Sequence, residues 1–287
     1  MRPLLTLRSL LFVPGDDEHK LMRAVHAPAD ALVIDWEDAV APDRKAAARC
    51  DTMAFLASRE VNAGVVLVRV NPIHSPEFAA DISHVSQVHA EAIVLSKVVS
   101  ARDVQYAEER LNASGPQRDV WLFPVIESAA GLLNAWGIVN SSERVAALMF
   151  GAEDFCADTG ITRGKEEIEL LYARSAIVTA ARAADRQVID SPCLVFDNDR
   201  KVAKAALRAR NLGFTGKLAI HPRQLGILNK SFSPRPEQIR EAQRILAAFA
   251  ASGEGVTAVD GAMVDEAVVK RARQILEMAK LPSPITD

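Results

Sequence analysis

The chain has 287 residues, 49% of them apolar, which is enough for one large α/β domain and too apolar for a disordered segment. A net charge of -3 and a pI near 6.1 exclude a general nucleic-acid binder, though not a local phosphate pocket. Three cysteines, at 50, 156 and 193, are odd in number and widely spaced, so a disulfide framework is not expected and a reducing cytoplasm is the natural setting.

The opening "MRPLLTLRSLLFVPGDD" is interrupted by Pro14-Gly15 too early to span a membrane, and it reads as a strand rather than a signal segment. Further apolar runs follow in order: "ALVIDWED" (31–38), "VVLVRVN" (65–71), "AIVLSKV" (92–98) and "VWLFPVIE" (120–127). Then come "AALMFGAED" (146–154), "SPCLVF" (191–196) and "KLAIHP" (217–222). With "SLLFVPG" (9–15) they make eight, and continuous runs of this length suit parallel strands covered on both faces.

Helical spacing of small apolar and charged residues fills segments such as 43–60, with Asp43 as N-cap, and 166–186. Eight strand-then-helix units predict an α/β fold, a TIM (β/α)8 barrel. An open doubly wound sheet is the competing arrangement, but no GxGxxG follows the first run. The barrel is assigned to 1–230. Residues 231–287, helical at 236–252 and 264–280, exceed what one closing helix needs and form a C-terminal helical extension, expected to pack on the barrel or a neighbouring subunit.

Polar residues gather at the strand C-terminal ends, where a barrel carries its chemistry. They are Asp35, Glu37 and Asp38; Arg69 and Asn71; Lys97; Glu127; Glu153 and Asp154; and His221. Glu127 and Asp154 each follow a strongly apolar run, and two carboxylates completed by water and substrate oxygens are a usual Mg²⁺ site. A capping role for Glu127, with Ser128, at the helix that follows is the alternative. Arg69 lies within an apolar strand and needs a partner there: an anionic substrate, or an ion pair with Glu37 or Asp38. Lys97 is expected to neutralise the same carboxylates. His221 reads as a base or as a hydrogen-bonded structural group, and Cys156 has no histidine beside it to activate a thiolate.

The ordered set "RSLLFVPGDD", "DALVIDWEDAVAPDRKAAAR", "VRVNP", "PVIESAAGLLN", "FGAEDF", "GFTGKLAIHPRQL" and "DGAMVD" resembles the citrate lyase β-subunit-like family of the HpcH/HpaI aldolase superfamily, which includes relatives of malyl-CoA and citramalyl-CoA lyases. The resemblance runs from residue 8 to residue 265. It implies a Mg²⁺-dependent carbon–carbon lyase, commonly a homotrimer or a subunit of a lyase complex. Such an enzyme acts on a 3-hydroxyacyl thioester of CoA or acyl carrier protein to give a 2-oxo acid and an acyl thioester.

By matching motifs, Glu127 and Asp154 would hold the metal, and Arg69, with Glu127, would bind substrate. Asp265, or else Asp260, would reach a neighbouring subunit's site as acid/base. Glu37 and Asp38 would orient the metal's waters. Arg8 and Lys20 are the candidate contacts for CoA phosphates, with ordinary surface charge as the alternative for each. Trp36 and Ser96 stand where the family usually has leucine and proline, which puts the acyl substrate in question. An aldolase on free hydroxy-oxo acids and a non-catalytic ligand-binding homologue are the alternative functions.

Overall fold

The computed structural model describes residues 6–58, 65–87, 90–114, 120–252 and 256–279. Eight parallel strands close into a barrel in sequential order. They are β1 (Ser9–Pro14), β2 (Ala31–Asp35), β3 (Val65–Val70), β4 (Ala92–Leu95), β5 (Trp121–Ile126), β6 (Ala147–Phe150), β7 (Gln187–Asp190) and β8 (Gly216–Ala219). Outside them lie α1 (Glu18–Ala24), α2 (Lys45–Ser58), α3 (Phe78–Val85), α4 (Ala101–Ala113), α5 (Ala129–Leu133) and α6 (Ala135–Val139). The ring continues with α7 (Ala152–Thr159), α8 (Leu171–Ala183), α9 (Asp199–Leu212) and α10 (Leu225–Phe232). Among the described residues no helix is long and apolar enough to cross a membrane.

The strands are apolar throughout because side chains alternate between two dry faces. Leu10, Val33, Leu67, Val94, Phe123, Met149, Ile189 and Leu218 fill the barrel. Their neighbours Leu11, Ile34, Val68, Ile93, Leu122, Leu148, Val188 and Ala219 belong to the layer under the helices. Closing the ring brings β8 against β1 so tightly that a Cβ on Gly216 would overlap the carbonyl oxygen of Leu7.

The seventh strand differs from the sequence expectation. Residues 191–196 are loop, and the strand is the short Gln187–Asp190 segment before them. Pro192 has no N–H to continue a ladder, and Leu194 and Phe196 are about half exposed. β6 also stops earlier than expected, at Phe150, so Glu153 and Asp154 sit in the first turn of α7. Acidic side chains are favoured there by the helix dipole. Asp43 lies within the 3-10 turn Pro42–Arg44 that leads into α2 rather than capping it.

Beyond α10, which crosses the expected boundary at 230/231, come α11 (Pro236–Ala251), a hairpin of β9 (Thr257–Val259) and β10 (Ala262–Val264), and α12 (Glu266–Ala279). The hairpin was not expected. Its turn residues Asp260 and Gly261 have φ of 52° and 79°, the left-handed pair that an Asp-Gly hairpin turn requires. α11 and α12 pack through Ile245, Phe249 and Val269. α12 faces Thr6, Asp185 and Thr215, which precede β1, β7 and β8, across a cavity of about 800 Å³. The extension therefore packs at the N-terminal end of the barrel.

Gly216→Ala is expected to lower stability by about 1–3 kcal/mol, because the added methyl meets backbone that cannot move without opening the β8–β1 seam. The urea midpoint measures it.

Candidate active site

A cavity of about 400 Å³ opens at the C-terminal ends of the strands, lined by Phe12, Asp35, Arg69, Glu127, Asp154, Ser191 and Ile220 among others. Its charged side is organised by Arg69. In the β2–β3 register Asp35 lies directly opposite Arg69. The Arg69 Nε donates to Asp35 Oδ1 at 2.8 Å and Nη2 donates to Oδ2 at 2.5 Å. Nη1 lies 2.9 Å from Glu37 Oε2 and 3.8 Å from Asp38 Oδ2, and the ring of Phe12 underlies the guanidinium at 4.8 Å. Burial works against the Arg69 charge, but Asp35, Glu37 and Asp38 outweigh it and raise its pKa. Asp35 takes two of its five N–H groups and Glu37 lies beside Nη1, which leaves the remaining donors of Nη1 and Nη2 for a substrate anion.

Asp35 is the functional group that sequence reading underused. It was visible at a strand end, but Glu37 and Asp38 were the expected partners of Arg69. Its carboxylate also accepts the N–H groups of Glu37 (2.8 Å) and Ala39 (3.2 Å), fixing the turn after β2. Glu37 is buried, and desolvation pushes its carboxyl up against the pull of Arg69. Lys97 Nζ lies 3.4 Å from Glu37 Oε1, close to its expected neutralising position, while Asp38 is largely exposed.

Glu127 turns into the barrel mouth instead of capping α5. Ser128 does the capping, accepting the N–H of Gly131 at 3.0 Å. The N–H of Lys97, a residue held at φ 55°, donates to Glu127 Oε1 at 2.6 Å. A Cβ at Gly151 would stand 2.6 Å from Glu127 Cβ and overlap Oε2, so glycine keeps the space the carboxylate uses. Burial pushes the Glu127 carboxyl up to about 8, with the Lys97 bond opposing and the charges of Asp154 and Glu37 reinforcing.

Asp154 lines the same cavity from α7. Its neighbour Glu153 reaches the cavity edge but is paired with Arg163, which also binds Glu167. Asp158, also on α7, accepts the N–H of Ala129 at 2.7 Å. Glu127 and Asp154 offer only hard oxygen donors, with no histidine or thiolate between them. Among the described residues no third His, Cys, Asp or Glu completes a metal cluster. That donor set fits a dication that keeps much of its hydration.

Residues 8–222 match the family model described as HpcH/HpaI aldolase/citrate lyase. The chain belongs to this family. It is 32% identical over 289 residues to the human mitochondrial citramalyl-CoA lyase, covering 95% of this chain and 85% of that one. It is 34% identical over 284 residues to the Escherichia coli K12 citrate lyase subunit beta, covering 96% and 94%. Its fold is similar, with a TM-score of 0.78 and 28% identity, to the Mycobacterium tuberculosis protein CitE in complex with magnesium, acetoacetate and coenzyme A. That similarity covers 94% of this chain and 97% of the other.

Against the family pattern, several expected residues lie elsewhere. Arg8 is corrected: it precedes β1 at the far end of the barrel, is 4% exposed, and is bound to Asp30 (2.7 and 2.8 Å) and Ser233 (2.9 Å). It has no path to a ligand at the mouth. Lys20 is exposed in the first turn of α1, 2.9 Å from Asp17, on the mouth side of β1. Asp265 precedes α12 and accepts the N–H of Val268 at 3.0 Å, and Asp260 pairs with Arg244 in the hairpin turn. Neither lines the cavity, since their own extension sits at the opposite end of the barrel.

His221 is structural: Nδ1 accepts the N–H of Arg223 at 3.1 Å and the ring stacks on Phe196 at 4.8 Å. The Cys156 thiol is buried and its pKa pushed up, which removes it as a nucleophile. Trp36 and Ser96 do not shape the cavity. Trp36 Nε1 donates to Thr52 Oγ1 on α2 at 2.9 Å, and Ser96 Oγ donates to the Val70 carbonyl at 3.1 Å.

The high Glu127 pKa has a measurable sign. A carboxyl raised from 4.5 to about 8 on folding stabilises the protein fully below the lower value, and that stabilisation disappears as pH rises through the upper one. Without divalent cations, unfolding free energy is expected to fall by about 2–4 kcal/mol between pH 5 and pH 9, and Glu127→Gln removes most of that fall. Parallel urea titrations of the two proteins give the difference directly.

Proposed function

We propose that this protein is a Mg²⁺-dependent carbon–carbon lyase that cleaves a 3-hydroxyacyl CoA thioester to a 2-oxo acid and an acyl thioester. The observation that carries this reading is the Glu127–Asp154 pair facing Arg69 across one mouth. The citramalyl-CoA lyase and citrate lyase relatives, and the magnesium and coenzyme A bound to the similar M. tuberculosis protein, support it. Glu127 and Asp154 would hold the ion, which supplies a Lewis acid and a template for substrate oxygens when bound.

The chain's own groups do the rest. The free N–H groups of Arg69 neutralise negative charge on the substrate as the bond breaks. Asp38, which lines the cavity, orients water there, while Glu37 is buried behind it, where it holds Arg69 and is offset by Lys97. Lys20 is the remaining cation for the CoA phosphates. Asp265 from a neighbouring copy takes the hydroxyl proton, and the oxygen's electrons become the new carbonyl bond. The C–C pair passes to the thioester as an enolate, which regains the proton at carbon to give the acyl thioester.

Donation of Asp265 from one copy to the mouth of the next is a head-to-tail contact, which closes as a ring, and a homotrimer suits it. Exposed Leu133, Trp136 and Tyr172 on α5, α6 and α8 form an apolar groove fit for such a subunit contact. The three free cysteines suit a reducing cytoplasm.

Glu127→Gln and Asp154→Asn are each expected to cut Mg²⁺-dependent turnover by about 10³-fold without loss of fold. Wild-type activity that survives EDTA would overturn the metal assignment. A second measurement tests the shared site. Asp265→Asn and Asp154→Asn chains are each inactive alone, but co-assembled they regain activity if position 265 acts between subunits. No recovery in mixed oligomers would place the acid/base elsewhere.

A further inference from the structure

The two sides of the cavity carry different charge. Around β2, β3, β5 and β6 it presents Asp35, Asp38, Glu127, Glu153 and Asp154, with Arg69 as the one cation among its described lining residues. Toward β7, β8 and β1 it is walled by Leu194, Leu218, Ile220 and Phe12. Ser191 is the exception on that wall, and its hydroxyl is buried without a hydrogen-bond partner. Resting on the lyase reading above, we infer that the oxo acid released here is a small monocarboxylate, of the glyoxylate or pyruvate type. The hydrogen or methyl on its keto carbon lies against the apolar wall. A citryl thioester, whose cleavage releases a dicarboxylic oxo acid, is rejected.

Charge balance is the reason. A dication offsets Glu127 and Asp154. Arg69 is already opposed by Asp35 and Glu37, and the Lys97 ammonium by Glu37. The substrate's first carboxylate has the ion and the free Arg69 N–H groups to meet it. A second carboxylate, on the arm that replaces hydrogen or methyl, would enter the apolar wall. It would lose its water there and find no free cation. Ser191 offers a single neutral donor, which satisfies one uncharged oxygen but cannot balance a full charge among five acids. A hydrogen-to-methyl change, by contrast, alters only a little apolar contact, so the site separates glyoxylate from pyruvate weakly.

Two readouts on the full-length protein with Mg²⁺ test this. Malyl-, citramalyl- and citryl-CoA are compared by kcat/KM, and glyoxylate, pyruvate and oxaloacetate by calorimetric binding. The expected result is a citryl kcat/KM at least about 100-fold below the better of the other two, and oxaloacetate bound at least about tenfold more weakly than pyruvate. Citryl-CoA within tenfold of the best substrate, or oxaloacetate bound as tightly as pyruvate, overturns the inference. If no thioester is cleaved, the lyase reading fails, while the order of oxo-acid affinities still decides this one.

Ile220→Arg places a cation on the wall at a rim position that is 40% exposed and therefore able to accept it. It is expected to raise the affinity for oxaloacetate relative to pyruvate by about tenfold. An unchanged ratio of oxaloacetate to pyruvate affinity in the variant would overturn the assignment of the wall.

Discussion

Arg69 is a guanidinium held in the mouth of a barrel whose other inward positions are nearly all apolar, and the arrangement of that mouth follows from what the cation needs. Burying it demands anionic partners in hydrogen-bond geometry. The β2–β3 register supplies Asp35 directly opposite, and the turn after β2 adds Glu37. Glu37 then draws Lys97 from the end of β4, and the amide of Lys97 donates to Glu127 at the end of β5. Glu127 in turn lies over Gly151, from which α7 starts with Asp154 in its first turn. Five strand ends are thus linked by contacts that begin at one buried charge.

The linkage leaves the mouth short of positive charge. Arg69 and Lys97 are matched by Asp35 and Glu37, and among the described lining residues no further cation matches Glu127 and Asp154. Burial first, and that surplus second, hold the Glu127 proton above the usual carboxylate range. A site with two unmatched carboxylates at its floor is poised for a hard dication, because the ion removes the repulsion and the desolvation cost together. The metal reading therefore rests on an imbalance that the fold itself maintains.

Much of this was legible in the sequence because both signals were periodic or terminal. Two-sided strand burial writes continuous apolar runs, and seven of the eight runs lie on strands. Polar residues ending those runs marked the mouth, and Arg69, Glu127 and Asp154 do line its cavity. The seventh strand was missed because only Val188 and Ile189 are apolar in it, whereas the richer run beside it is exposed loop. Asp35 was passed over because adjacency in sequence favoured Glu37 and Asp38, while partner choice is set by cross-strand register. Arg8 misled for the opposite reason. A charge beside a strand does not say which end of the barrel it marks, and the start of β1 is the end away from the chemistry.

The same distinction of ends bears on the C-terminal extension. α12 covers the N-terminal openings of β1, β7 and β8, and none of the described residues of the extension lines the mouth of its own barrel. Its hairpin nevertheless carries two aspartates on a tight Asp-Gly turn and the cap that follows. Asp260 is committed to Arg244, whereas Asp265 spends one oxygen on the first turn of α12 and keeps the other. That second oxygen is held on a well-packed element far from the mouth of its own barrel. The proposed donation of Asp265 to a neighbouring copy would bring this acid and the open cavity together in a head-to-tail ring.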